Sequence, residues 1–234
     1  MSRSNAPLAL SVVSLTEPDD VEQTLAKITQ FDDRKFGFNH NQTWAAMPHA
    51  LRGVLDPDAV GRSFSNEHTR IQRCITALCE LGCAAKLETR RFVDFPAAGL
   101  RTVAPIAWDP DVSVRVKGCC WYVKDGKTII PLLQPRMLPL EVERLQVYLR
   151  LGRQAFCQGD WVDASLALID LSGEGDHVEA VLIDESQIGL ASDAVLQRYV
   201  KTFVEAKKAA DRKRAQRPKE EVTLPMDALL DLKK

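Results

Sequence analysis

The stretch VSVRVKGCCWYVKDGKTIIPLLQPR, residues 112–136, decides the fold. Two runs rich in β-branched and aromatic residues flank Asp125-Gly126. That dipeptide tolerates the positive φ of a two-residue hairpin turn, so the spacing predicts antiparallel strands over 112–123 and 128–134. A helical pattern follows over 139–157, with Leu145, Tyr148, Leu149, Gly152 and Phe156 on one stripe. Residues 162–171 read as a buried strand and 178–184 as a further short one.

Register decides what the hairpin displays. A two-residue turn sets Lys124 against Lys127, Lys117 across from Gln134 and Arg115 across from Arg136. Ser113, Arg115, Lys117, Gln134 and Arg136 would then share one face, a cationic cluster suited to phosphate. A three-residue loop would slip the pairing and split the cluster between faces. Pro131 interrupts the ladder in either case, and two opposed arginines repel unless an anion or Asp111 lies between them. A solvated polar sheet face is the alternative. Cys119 and Cys120, neighbours on one strand, are expected to point to opposite faces.

Moving towards the N-terminus, residues 100–108 and 84–95 read as strands, the former with a proline that suits an edge. A helix is expected over 59–81, where Ile71, Cys74, Ile75, Leu78 and Cys79 recur at helical spacing, with Gly82 as its stop. Glu67, four residues before Ile71, extends that apolar face with a carboxylate. Trp44, Met47 and Leu51 have helical spacing within an otherwise loop-rich stretch over 32–58. A helix opens at Glu17-Pro18-Asp19-Asp20 and runs to about Phe31. Towards the C-terminus, Ser192-Asp193 caps a long helix whose apolar face comprises Val195, Leu196, Tyr199, Val200, Phe203 and Val204. Beyond Lys207 charge takes over, so that end is expected to project into solvent. The organisation expected is a flexible arm over 1–17, a single α/β domain over 18–205, and a charged helix end with tail over 206–234.

The order helix, strands, hairpin, helix, strand over 59–171 resembles the core of the PD-(D/E)XK nuclease superfamily, nearest to its RecB-like branch. The resemblance implies a restriction-endonuclease-like α/β fold, with a mixed central sheet and a core hairpin flanked by helices. In that family one strand carries an Asp, the next ends in acid-x-Lys, and the acids bind Mg²⁺. Here Gln134-Pro135-Arg136 stands where acid-x-Lys is expected, and Gly118 to Trp121 stand where the metal-binding Asp would fall. Gln146 and Tyr148 resemble the family's helical Gln/Tyr pair at a shorter spacing. Glutamine is a poor Mg²⁺ ligand and arginine repels a cation. The expectation is therefore a degenerate fold with no catalytic residues, no cofactor and no metal. Its nucleic-acid contacts would come from Arg115, Lys117, Gln134 and Arg136, and from Lys207, Lys208, Arg212 and Lys213 on the last helix. If the chain were an active Mg²⁺-dependent nuclease, Glu67, Asp109 and Asp111 would be its acids. The literal Asp111 and Asp125-Gly126-Lys127 match is set aside, because a hairpin tip lies far from the strand's other end.

Composition sets the remaining bounds. The 234 residues can bury a full core, and 45% hydrophobic with 27% charged residues is ordinary for a globular chain. A net charge of −1 gives no global attraction to nucleic acid or membrane, so any such binding must come from local patches. With no long apolar run and no signal-peptide pattern, a cytoplasmic protein without a membrane partner is expected. The six cysteines form no C-x-x-C motif and are expected as reduced, packed thiols. No dinucleotide or phosphate-loop glycine pattern occurs. The partner classes that remain are nucleic acid, another protein and a second copy of the chain. In the last two cases the protein would be an oligomeric scaffold docking through 192–217 or 222–232.

Overall fold

The computed structural model describes residues 6–33, 40–59, 69–94, 100–173 and 177–216. In chain order its elements are α1 (Ala9–Leu15), α2 (Val21–Asp33), α3 (Asn41–Ala50), α4 (Thr69–Ala85), β1 (Arg90–Arg91), β2 (Val103–Asp109), β3 (Val112–Lys117), β4 (Cys120–Lys124) and β5 (Lys127–Gln134). There follow α5 (Val142–Phe156), β6 (Ser165–Asp170), β7 (Val181–Asp184), the short α6 (Glu185–Ile188) and α7 (Asp193–Gln216). The class is α/β, with a mixed five-stranded sheet in the order β1-β4-β5-β6-β7.

The Asp125-Gly126 turn forms as its chemistry dictates. Both residues are left-handed, at φ 52° and 74°, and Lys124 pairs with Lys127. β5 then feeds α5, which returns the chain to β6 in parallel with β5. A strand inside such a crossover is covered on both faces, which is why β5 reads as an unbroken apolar run instead of an alternating one. Ile130, Leu132, Leu166 and Leu168 pack with α5, while Leu133 and Ile169 pack with α3 and α4 on the opposite face. α5 lies close against the sheet at Gly152, where a Cβ would come within 2.5 Å of Leu132 Cδ1.

The run 112–123 is two strands, not one. β3 pairs with β2 in a separate two-stranded sheet, with Lys117 opposite Val103 and Arg115 opposite Pro105. Gly118 marks the break. A Cβ there would sit 2.9 Å from both Phe92 and Phe156, whose rings meet edge to face at 5.6 Å. The Gly118 amide donates to Thr102 O, and Cys119 O accepts from Phe92 N, so backbone hydrogen bonds hold the chain as it leaves one sheet for the other. The shared face expected from continuing the hairpin to Arg115 and Lys117 therefore does not arise from cross-strand pairing. Cys119 also lies outside the regular strand, and its Sγ is 3.9 Å from Cys120 Sγ instead of on the opposite face.

Other boundaries move for identifiable reasons. Residues within the expected arm form α1, with Val12 and Val13 fully buried. The helix expected over 59–81 is described from Thr69 and continues to Ala85, through Gly82. That glycine serves packing, since a Cβ on it would fall 1.9 Å from Ala50 O of α3. The extended helix consumes the start of the strand expected over 84–95, leaving the short β1 and a 3-10 turn over Phe92–Asp94. The end of α7 does not project freely. Ala206 and Ala210 are buried, and Arg214 pairs with Asp32 of α2 at 2.8 Å. Alanines extend the apolar stripe there, beyond Phe203 and Val204.

Candidate functional site

Gln134 ends β5 fully buried. Its Oε1 accepts from Arg136 N at 2.7 Å and its Nε2 donates to Leu138 O at 3.2 Å. The carboxamide thus shapes the turn that presents Arg136. In the neighbouring strand Asp170 pairs with Gln134, and its Oδ1 accepts from Ser172 N at 2.8 Å. Arg70 of α4 ties these two strand ends together by donating to Leu171 O at 2.5 Å and Arg136 O at 3.2 Å. Neither Asp170 nor Arg70 could be assigned here from sequence. Their placement follows from the parallel pairing of β5 with β6, which leaves no local signature.

Arg136 is largely withdrawn from solvent. Burial pulls its guanidinium below the usual arginine range, and the nearby Tyr148 partly offsets this. Its Nη2 reaches Ser11 Oγ at 3.3 Å. Tyr148, buried on α5, donates to Leu133 O at 3.3 Å. Burial pushes the phenol well up, and it senses both Arg136 and Cys119. Gln146 leaves this place, donating instead to Ile188 O at 2.8 Å. The two residues that matched the family's helical pair therefore serve different neighbours.

The remaining cations of the expected cluster approach from β3. Arg115 Nε donates to Ala6 O at 2.6 Å. Lys117 Nζ donates to Asn41 Oδ1 at 2.8 Å and lies 5.3 Å from the centre of the Trp44 ring. Burial lowers the Lys117 ammonium, Cys119 opposes that, and Arg115 adds to it. Arg115 and Arg136 thus both reach the N-terminal segment, at Ala6 O and Ser11 Oγ, while Lys117 faces Asn41 and Trp44 of α3. Among the described residues, Arg115, Lys117 and Arg136 have neutral oxygen partners and no ion pair with a carboxylate.

The basic end of α7 contrasts with this. Lys207 pairs with Asp211, and Lys208 pairs with Asp109 at 2.8 Å. Arg212 donates to Lys208 O at 3.2 Å. Lys213 lines a groove of about 800 Å³ with Glu22 and Asp33. Asp109 and Asp111 sit at the β2–β3 turn, where Asp111 N donates to Asp109 Oδ1 at 3.2 Å. Lys208 and that amide hold the Asp109 carboxyl below its usual range. Glu67 lies outside the described residues, and among those described no cluster of metal-binding side chains occurs.

No protein-family model matches the chain, and no curated protein matches it. A solved structure, that of SSO0001, is similar at a TM-score of 0.29 and 13% sequence identity, over 79% of this chain and 86% of that one. So remote a likeness carries no functional argument. Among the described residues no helix is long and apolar enough to cross a membrane.

Proposed function

We propose that this chain is a catalytically degenerate, nuclease-like binding subunit that holds the phosphate backbone of a nucleic acid without cutting it. The observation that carries the reading is that Arg115 and Lys117, alternate residues of β3, and Arg136 beyond β5 are half-buried on neutral oxygens, with Arg115 and Arg136 both reaching the N-terminal segment at Ala6 O and Ser11 Oγ, and with no carboxylate paired to any of them among the described residues. Buried or half-buried cations are normally paired. A phosphate would supply the missing charge through short, charge-assisted hydrogen bonds. The same charges repel a divalent cation, and β4 and β5 carry no carboxylate to hold one. These side chains offer no base-reading geometry, so the contacts would position a backbone and not read a sequence.

The deciding experiment titrates the full chain with single-stranded DNA, duplex DNA and RNA across a salt series, and incubates the same substrates with Mg²⁺ or Mn²⁺. Binding that weakens steeply with salt, with the strands left intact, is expected. Metal-dependent cleavage abolished by Glu67→Ala, Asp109→Ala or Asp111→Ala would establish an active nuclease instead. Absence of association at low salt would remove the nucleic-acid reading. A second reading, an assembly or scaffold subunit, is favoured by the loop after β5. Met137 and Leu138 in that loop and Val142 at the start of α5 are 54%, 63% and 63% exposed, apolar residues of the kind that meet protein partners.

A further inference from the structure

Cys119 and Cys120 form a vicinal dithiol. The Cys119 thiol donates towards Cys120 Sγ at 3.9 Å. Because the chain breaks from β3 to β4 at Gly118-Cys119, the usual strand alternation does not separate the two sulfurs. Both side chains pack against the cluster built by α3 and α4. Access is asymmetric, since Cys119 is partly exposed and Cys120 is fully buried. The contact with Cys119 and burial together raise the Cys120 thiol well above its ordinary range, which Arg52 opposes. A partly exposed thiol beside a second, buried thiol able to resolve it is the arrangement of a redox-responsive pair.

We propose that Cys119 and Cys120 are a hydroperoxide-oxidised dithiol that closes into a vicinal disulfide. Cys119 sulfur attacks the distal peroxide oxygen, and its thiol proton passes to the departing peroxide oxygen. An S–O bond forms and the O–O bond breaks. The sulfur is oxidised to a sulfenic acid, and the peroxide is reduced to water or an alcohol. Cys120 sulfur then attacks Cys119 sulfur. The S–S bond forms, the S–O bond breaks, and the departing hydroxide leaves as water with the Cys120 proton. A disulfide spans about 2.0 Å, so the sulfurs must approach by roughly 2 Å, and the break between the strands frees Cys119 from ladder pairing that would oppose this. The inference is independent of phosphate binding.

The sequence supplies a clean readout. Trypsin cuts after Lys117 and Lys124, so both sulfurs fall in the peptide Gly118–Lys124, apart from the other cysteines. The native full-length protein is exposed to hydrogen peroxide, unfolded, alkylated and digested. The expected product is a Gly118–Lys124 peptide that resists alkylation and has lost one pair of hydrogen atoms, while the Cys74–Lys86 peptide remains fully alkylated. In Cys120→Ser, Cys119 should stop as a sulfenic acid captured by dimedone. In Cys119→Ser, the peptide should stay reduced at the same peroxide dose. If Cys120→Ser fails to fold, the native protein and Cys119→Ser still decide the matter. Full alkylation of Gly118–Lys124 after peroxide, or its conversion to sulfinic acid with no disulfide form, would overturn the proposal.

Discussion

Arg144 of α5 donates to a Glu17 carboxylate oxygen at 2.8 Å, fastening the segment between α1 and α2 to the helix that crosses the sheet. The same guanidinium donates to Val13 O at 2.5 Å and Thr16 O at 2.7 Å, and Glu17 also pairs with Lys27. Arg144 is buried and Glu17 half-buried, so this network joins the N-terminal layer to the core where water competes poorly.

Replacing Arg144 by Met should therefore cost more than an ordinary surface ion pair. It strands two carbonyls and a half-buried carboxylate, and a loss of about 2–4 kcal/mol is expected. Urea unfolding of the variant and the parent measures it. A loss within about 0.5 kcal/mol would mean that water replaces the guanidinium.

The same network sets a pH response. Burial raises the Glu17 carboxyl, but the hydrogen bond from Lys27 and the charge and hydrogen bond of Arg144 outweigh it, so the net shift is downward. A folded-state value below the unfolded one means Glu17 stabilises the fold above its unfolded value, near the usual 4.5. That stability is lost as pH falls through the lower folded-state value. Acid unfolding should show a shallower pH dependence below about pH 4.5 in Glu17→Gln than in the parent.

Gly82→Ala should be among the most damaging single methyl additions. The new Cβ would meet Ala50 O at 1.9 Å, and that atom belongs to the backbone of α3 and cannot rotate away. A cost of about 3 kcal/mol or more is expected, read from the shift in the denaturant midpoint.

Arg136→Gln should weaken nucleic-acid binding about tenfold and lower the slope of log affinity against log salt by about one, uniformly across sequences. Replacing Lys207, Lys208, Arg212 and Lys213 by Ala should weaken binding less per charge removed, because Lys207 and Lys208 already face Asp211 and Asp109. Fluorescence anisotropy over a salt series separates the two sets.

Local chemistry made part of this architecture legible in the sequence. Asp125-Gly126 specifies its turn wherever it stands between strands, and the apolar run of β5 requires cover on both faces. The helical stripe through Tyr148 and Phe156 likewise survived into α5, and Ser192 caps α7 by accepting from Val195 N. Glycine was harder to interpret, because its signature is the same for a helix stop, a strand break and a close contact. Gly82 reads as a terminator and is a close contact, while Gly118 reads as part of the first hairpin strand and divides it. Within the candidate site, the cations are legible and the sequence groups Arg115, Lys117 and Arg136 on one sheet face, but the strand register that would do so does not form, because β3 pairs with β2. Arg115 and Arg136 instead reach the same N-terminal segment, at Ala6 O and Ser11 Oγ, a placement made by packing and not by strand register.

The break at Gly118 also has a bearing on how the chain tolerates change in length. β3 and β4 are consecutive segments belonging to different sheets, so the alignment of each sheet is referenced to the other through two residues. Inserting or deleting a single residue at 118–119 would turn every side chain of one strand to the wrong face relative to its neighbours. Lengthening the Asp109–Val112 turn would leave the register of the five-stranded sheet intact and would move Asp109 from Lys208 of α7. Chain length is thus fixed at the joint between the two sheets and less constrained at the turn at the other end of β3.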